Sequence, residues 1–324
     1  MKGMNKQPGW EPSLRRWGWG LLGIGAIALS SCTNTSPLSD DPDRPLKVVT
    51  TSTILQDWAD TVAGDSLEVV GILQPGVDPH VYEPVPADLQ KLEQADLVFY
   101  NGHNLEPGLI RMIQASVPED QAFAVGEVIP PLDLEKAGET VPDPHVWGDV
   151  GNARVMVTAM RDRLIELSPD HRQVFTTNAA DYQQILATLD EWVRDQMQTL
   201  PPQRRYLVTT HDAFQYYGRA YGLTIAGTLI GISTEEQPSA RTVGTLAQRI
   251  REVAVPTIFA ETTINPALIQ TVAQEAGVEV ATQPLYSDSL GAPGSQADTY
   301  VDMQVINTQT IVEGLGGSLS PFQK

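Results

Sequence analysis

Short β-branched apolar runs alternate along this chain with longer segments whose apolar residues have helical spacing. The first run is Lys47–Ser52, and the helical segment Ile54–Ala63 follows it directly. Strands that alternate with helices of this length indicate a parallel sheet covered by helices on both faces. The same alternation returns after Pro201-Pro202, so the pattern predicts an α/β fold with two doubly wound lobes. Further strands are expected at Leu67–Leu73, Asp96–Tyr100, Tyr206–Thr210, Thr224–Ala226, Thr257–Ala260 and Val278–Ala281, and further helices at Pro86–Gln94, Val243–Val253, Pro266–Ala276 and Asp298–Gly314.

A single long helix is predicted between the two lobes. From Asp170 to Leu200 the apolar residues recur every three or four positions, and the segment contains no Gly or Pro. Such spacing over about 30 residues predicts one amphipathic helix about 45 Å long. We therefore expect an N-terminal lobe at 46–168, a linking helix at 169–200 and a C-terminal lobe at 201–324.

The N-terminus has the pattern of an export signal. Basic residues between Lys2 and Arg16 precede the apolar run Trp17–Leu29, which is too short to span a membrane. The run ends in Leu29-Ser30-Ser31-Cys32, which resembles a bacterial lipobox, whose Cys is acylated and becomes the first mature residue. We expect a signal peptide at 1–31, a polar, Pro-rich tether at 32–45 and an extracytoplasmic protein anchored to a membrane through Cys32. A plain signal peptide with an incidental Cys is the alternative.

Charge and cysteine content exclude two classes of function. The chain has 21 basic and 40 acidic residues, a formal net charge of -19. Nucleic-acid binding requires a cationic surface, so a nucleic-acid partner is not expected. Cys32 is the only cysteine, which excludes an internal disulfide and a multi-cysteine zinc site.

Four separated segments each contain a potential metal ligand. Three of the five His of the chain lie in them, and the fourth segment supplies a carboxylate. Three imidazoles and one carboxylate form a ligand set suited to a divalent transition metal. The segments are Asp78–Pro84 with His80, Asp143–Trp147 with His145, Thr209–Phe214 with His211, and Leu285–Asp288.

These motifs resemble those of the metal-binding solute-binding lipoproteins of bacterial zinc and manganese ABC importers. The matching stretches are Asp-Pro-His-Val-Tyr-Glu-Pro at 78–84, Asp-Pro-His-Val-Trp at 143–147, His-Asp-Ala-Phe-Gln-Tyr-Tyr at 211–217, Gly231–Glu236 and Leu285–Leu290. The resemblance implies two α/β lobes joined by one long helix, with the metal in the cleft between them. It also implies that His80 and His145 bind the metal from the first lobe, and His211 and Asp288 from the second. We expect a monomer that holds one ion per chain and delivers it to an ABC permease.

The resemblance leaves the metal open between Zn²⁺ and Mn²⁺. The third ligand of the family is often His in zinc receptors and Glu in many manganese receptors, so His211 favours zinc. Zinc receptors often carry a long loop rich in His and acidic residues between the first two ligand segments. Here Asp133–Val141 is short and contains no His, which weakens the assignment to zinc.

Carboxylates beside the ligands are candidates for orienting imidazoles. Glu83 follows His80, and Asp212 follows His211. A role in orienting a ring and a role as helix cap or surface charge are equally compatible with each. His103 is expected in a solvated loop, and His171 at the surface.

Two other functions are compatible with part of the pattern. A zinc hydrolase would also use His and carboxylate ligands, but it needs an open coordination position and a nearby general base. The chain contains no His-Glu-x-x-His segment, and four protein ligands would fill the shell. An adhesion lipoprotein is a label sometimes given to this family, and no residue specifically supports it. We therefore expect a binding protein and not an enzyme.

Overall fold

The computed structural model describes residues 44–136 and 139–323. The expected signal peptide, most of the tether and Cys32 lie outside the described residues. Within the described ranges, the helices are too short or too polar to cross a membrane.

A four-stranded parallel sheet forms the first part of the fold. Its strands are β1 (Lys47–Thr50), β2 (Glu68–Gly71), β3 (Leu97–Tyr100) and β4 (Ala122–Ala124), in the order β2-β1-β3-β4. All neighbouring strands are parallel, with Val48 opposite both Val69 and Leu97. Helices separate the strands in sequence: α1 (Thr53–Ala63), α2 (Pro86–Glu93) and α3 (Pro107–Ser116).

A two-stranded antiparallel hairpin and a long helix follow the first sheet. The hairpin consists of β5 (Asp133–Lys136) and β6 (Glu139–Pro142). Helix α4 (Val150–Leu167) begins after Asp149, whose side chain accepts the Gly151 N–H and caps the helix. The next helix, α5 (Arg172–Gln198), has 27 residues and corresponds to the long helix expected at Asp170–Leu200.

Parallel strands also form the second part of the fold. Strand β7 (Tyr206–Thr209) pairs with β8 (Thr224–Thr228), and β9 (Thr257–Ile258) pairs with β10 (Glu279–Val280). The two pairs are connected because the Phe259 N–H donates to the Val208 carbonyl at 3.0 Å. The helices are α6 (Gln215–Tyr221), α7 (Ala240–Val253), α8 (Ala267–Ala276) and α9 (Tyr300–Leu315).

The core has three layers, which follow from the two-residue period of the strands. In β1, Val48 faces a large central cluster, whereas Val49 faces a cluster with α2 and α3. In β7, Leu207 faces the same central cluster, and Val208 faces a cluster with α7 and α8. Strands β1 and β7 are thus buried on both faces, as expected for central strands of doubly wound parallel sheets. The predicted fold class is confirmed, whereas the lobe boundaries stay predictions.

Helix α5 lies in the central cluster. It packs against α1, α4 and α9. Its buried residues include Phe175, Leu186, Leu189 and Val193, which share the apolar spacing seen in the sequence. One continuous core therefore connects the inner faces of both sheets through this helix.

Candidate metal centre

The three predicted histidines and the predicted aspartate converge on one point. His80, His145, His211 and Asp288 each offer a ligand atom, and these atoms all lie within 4.8 Å of one another. All four side chains are buried. Consecutive ligands are 65 to 77 residues apart in sequence. Three of them, His80, His211 and Asp288, lie in loops that follow the parallel strands β2, β7 and β10, where binding sites of α/β sheets occur.

The two Asp-Pro-His motifs fold into the same local turn. Asp78 Oδ1 accepts the backbone N–H of His80 at 2.9 Å, and Asp143 Oδ1 accepts the backbone N–H of His145 at 3.0 Å. An aspartate that accepts the N–H two residues later closes an Asx turn. Each aspartate thereby fixes the backbone direction at its histidine, in the loops that follow β2 and β6.

His211 and Asp288 come from loops in the second half of the chain. His211 follows β7, and its carbonyl accepts the Thr209 hydroxyl at 2.8 Å. Asp288 lies after β10, in a segment that pairs with the loop after β9: Leu285 forms a bridge with Glu261, and the Leu285 carbonyl accepts the Thr262 N–H. This pairing places Asp288 and Glu261 on opposite sides of His211: Asp288 contacts Nε2 of the ring, and Glu261 contacts Nδ1.

Buried carboxylates contact the outer nitrogen of two of the rings. Asp143 Oδ1 lies 2.7 Å from His145 Nδ1, and Glu261 Oε2 lies 2.5 Å from His211 Nδ1. Glu261 Oε1 also accepts the backbone N–H of His211 at 2.8 Å. A ring that donates Nδ1–H to a carboxylate keeps the Nε2 lone pair free for a metal. In both rings the carboxylate lies at Nδ1, and Nε2 faces the other ligand atoms.

The two carboxylates that were candidates for orienting imidazoles, Glu83 and Asp212, do not contact the outer nitrogens of these rings. Glu83 is exposed, because the loop after His80 turns its side chain to solvent. Asp212 accepts a hydrogen bond from the Gln215 side chain at 2.7 Å. Asp143 and Glu261 take the role instead. The sequence offered a signal for Asp143, since Asp precedes both ligand histidines by two residues, but none for Glu261.

Four contacts between ligand atoms are short enough for these atoms to share one metal ion. His145 Nε2 lies 3.2 Å from His80 Nε2 and 3.3 Å from His211 Nε2. Asp288 Oδ1 lies 3.3 Å from His145 Nε2, and Oδ2 lies 3.3 Å from His211 Nε2. A tetrahedral zinc ion with bonds of about 2.05 Å holds its ligand atoms about 3.3 Å apart. The residues present therefore fit a divalent ion.

Without a cation, the close approach of these groups shifts their protonation. Burial lowers the pKa of His145, but hydrogen bonds to Asp143 and Asp288 outweigh burial and raise the pKa to about 9. Burial also lowers the pKa of His211, but the charges of Glu261 and Asp288 raise it well above its usual range. For Asp288, burial raises the pKa, yet the charge of His211 and its hydrogen bonds hold it well below the usual value. Protons thus compete with a metal ion for these nitrogens.

The other two histidines lie apart from this cluster. His103 Nε2 lies 3.2 Å from the Gly126 carbonyl oxygen and 3.3 Å from that of Ile129. His171 Nδ1 lies 2.8 Å from the Ser168 hydroxyl. Trp147 walls the site beside His145, with ring centroids 5.5 Å apart, and its indole N–H donates to the Ser287 carbonyl.

Comparison with known proteins agrees with this geometry. Residues 48–314 match the model of the ZnuA family, described as zinc-uptake complex component A, periplasmic. The chain belongs to this family. Its similarity to a solved family structure, the periplasmic zinc binding protein TroA from Treponema pallidum, has a TM-score of 0.80 at 36% identity and covers 84% of this chain and 99% of that one.

Named relatives of this ZnuA family member differ in the metal they are described with. The manganese-binding lipoprotein MntA of Halalkalibacterium halodurans is 35% identical over 295 residues, which cover 91% of this chain and 96% of that relative. The Fe(III)-bound YtgA from Chlamydia trachomatis has a TM-score of 0.77 at 26% identity and covers 85% of this chain and 100% of that one. The predicted family membership is confirmed.

Proposed function

We propose that this protein captures one divalent transition-metal ion, zinc or manganese, outside the cytoplasm and delivers it to an ABC permease. The ligands are His80, His145, His211 and Asp288. The observation that carries the proposal is the convergence of three imidazole nitrogens and a carboxylate, all buried, with separations of 3.2 and 3.3 Å between neighbouring ligand atoms. Buried groups of this kind are stable together when a cation neutralises them.

The donor set supports both metals. Three neutral imidazoles favour zinc and its neighbours, and a carboxylate extends the range towards manganese. The two oxygens of Asp288 face different rings, so this side chain can bind through one oxygen or through both. Single-oxygen binding gives the four-coordinate shell of zinc, and two-oxygen binding adds a fifth position.

The function is binding and transport rather than catalysis. The family comprises substrate-binding proteins of ABC importers. Four protein ligands fill a tetrahedral shell, which leaves no position for the activated water that a zinc hydrolase requires.

Membrane attachment is part of the proposal. The lipobox-like sequence at 29–32 supports acylation of Cys32, and residues 32–45 supply a polar tether. We infer a monomer whose body, with lobes at 46–168 and 201–324 around the helix 169–200, stays close to its permease while it binds ions.

The experiment is metal analysis of the purified chain combined with titration by Zn²⁺ and Mn²⁺. We expect one ion per chain, removable by a chelator, and loss of binding by well over tenfold in His211→Ala. His171→Ala is the matched control, since its ring contacts Ser168 far from the cluster in sequence. Binding that is equal in His211→Ala and the wild type would remove His211 from the ligand set. Absence of stoichiometric binding of both ions would refute the proposed function.

A further inference from the structure

The motif Gly231–Glu236 is not part of the ligand set, yet its loop is connected to one ligand segment. The loop lies between β8 and α7, and we name its residues Leu229–Thr234 the strap. The N–H groups of Leu229 and Ile230 donate to the Thr210 carbonyl at 3.0 and 2.9 Å. The Gly231 carbonyl accepts the Asp212 N–H at 3.3 Å. One end of the strap is therefore bound to the segment that carries His211.

The other end of the strap reaches the loop that carries His80. The Thr234 hydroxyl donates to Asp78 Oδ2 at 2.6 Å. The second oxygen of the same carboxylate accepts the backbone N–H of His80 at 2.9 Å. One carboxylate thus connects the strap with the backbone of a ligand. The O–H···O⁻ distance is in the range of strong, charge-assisted hydrogen bonds.

A second hydrogen bond connects the His80 loop with the segment that carries Asp288. The Ser289 hydroxyl accepts the Gly76 N–H at 2.8 Å. Next to it, the Leu290 N–H donates to the Thr53 hydroxyl at 2.9 Å. The loop Gly76–His80 is therefore bound by hydroxyl groups that adjoin two other ligand segments. Both contacts join parts of the chain more than 150 residues apart.

We propose that Thr234 is a positioning residue, whose hydroxyl keeps the His80 loop closed around the bound ion and so sets the rate of metal release. This inference rests on the proposed function of the same site. His80 is at the end of a loop without strand pairing, and its backbone direction depends on Asp78. When Thr234 releases Asp78, the loop loses its connection to the strap, and His80 can withdraw from the ion. Loss of one of four ligands then opens the shell for transfer.

The test measures release of Zn²⁺ from the loaded, full chain into an excess of a fluorescent zinc chelator by stopped flow. Thr234→Val removes the hydroxyl with little change of size, and we expect release to be about tenfold faster. Tenfold corresponds to about 1.4 kcal/mol, which is near the lower limit for a hydrogen bond to a charged group. The association rate should change by less than twofold, because the ligands themselves remain.

Three further variants make the result specific. Thr234→Ser restores the hydroxyl and should return release to within about twofold of the wild type. Thr282→Val, at an exposed threonine, is the matched control and should have no effect. Ser289→Ala removes the second contact and should also accelerate release, which provides an independent test if Thr234→Val folds poorly.

The outcomes separate this inference from the proposed function. If the wild type binds one Zn²⁺ and a folded Thr234→Val releases it at the wild-type rate, the role of Thr234 is refuted while metal binding stands. If Thr234→Val folds poorly, release from Ser289→Ala at the wild-type rate refutes the control of release by hydroxyl contacts to the His80 loop. If Thr234→Ser is as fast as Thr234→Val, the hydroxyl is not responsible and the inference is also wrong. If the wild type binds neither Zn²⁺ nor Mn²⁺, the proposed function fails first.

Discussion

Replacement of Glu261 by Gln tests whether a buried carboxylate sets the metal affinity of His211. Glu261 is 2% exposed, and both of its oxygens face His211. Oε1 accepts the backbone N–H, and Oε2 contacts ring Nδ1. A glutamine of the same shape offers one acceptor oxygen and one NH₂ donor. In Glu261→Gln, one of the two His211 groups must therefore face a donor.

The ring can avoid this conflict only by changing its tautomer. If the Gln NH₂ group faces Nδ1, the imidazole proton moves to Nε2, and the lone pair that binds the metal is lost. If the NH₂ group faces the backbone N–H, a buried donor is left unsatisfied. Loss of a hydrogen bond to a charged group costs about 1.5–3 kcal/mol, and such outer carboxylates change metal affinity by about 10- to 100-fold. We expect Zn²⁺ affinity to fall within that range.

The assay is competition with a chelator of known affinity at constant pH. Glu279→Gln, at an exposed carboxylate on β10, is the matched control and should leave the affinity unchanged. Thermal unfolding of the metal-free variants separates lost affinity from lost fold. An affinity of Glu261→Gln within twofold of the wild type would refute the reasoning, because it would mean that the carboxylate does not select the tautomer.

Four more predictions concern the pH dependence of metal affinity, the pH dependence of stability, close packing at Gly108 and the core. Metal affinity should rise between pH 5 and about 9, because the pKa of His145 is raised to about 9 and the ring must lose its proton before it binds a metal. A metal affinity that stays constant over this range in chelator competition would contradict imidazole ligation. The raised pKa of His145 also stabilises the metal-free chain. This stabilisation is complete below about pH 6.5 and is lost as pH rises through about 9, so the melting temperature of the metal-free chain should fall across that window. Gly108→Ala should destabilise the chain by about 1–3 kcal/mol and weaken metal binding, because a Cβ at this position would lie 2.6 Å from the Tyr82 carbonyl oxygen in the His80 motif. A denaturation midpoint and a metal affinity equal to those of the wild type would show that the loop can move away. Leu186→Ala, in the fully buried face of α5, should lower the free energy of unfolding by about 2–5 kcal/mol with little change in metal affinity. A loss below about 1 kcal/mol in chemical denaturation would place this position outside the tightly packed core.

The sequence predicted the parts of the fold that have strong periodicity. The helix expected at Ile54–Ala63 spans Thr53–Ala63. The long helix spans Arg172–Gln198, so its first and last residues lie within two positions of the expected Asp170 and Leu200. Helix α4 was missed, because Gly148, Gly151 and Asn152 at its start resemble a loop. The hairpin β5–β6 was also missed, since its acidic residues have low strand propensity.

The candidate site was predictable to the extent that it lies in short motifs. The four candidate ligands were identified because they lie in short motifs that resemble those of metal-binding solute-binding lipoproteins. Glu261 could not be identified, since its partner His211 is 50 residues away and its own neighbours, Ala260 and Thr262, are not metal ligands. Contacts of this kind arise from the pairing of the loops after β9 and β10, which is a tertiary property.

The continuous core through α5 has a consequence for how the protein can exchange its cargo. A wide rotation of one sheet away from the other would expose Phe175, Leu186 and Leu189 to water, at about 25 cal/mol for each Å² uncovered. Ions must therefore enter and leave through small movements of surface loops while the helical layer stays intact. Selection among metals then depends on how far the loops that carry the ligands can move, and the permease has only to displace those loops to receive the ion.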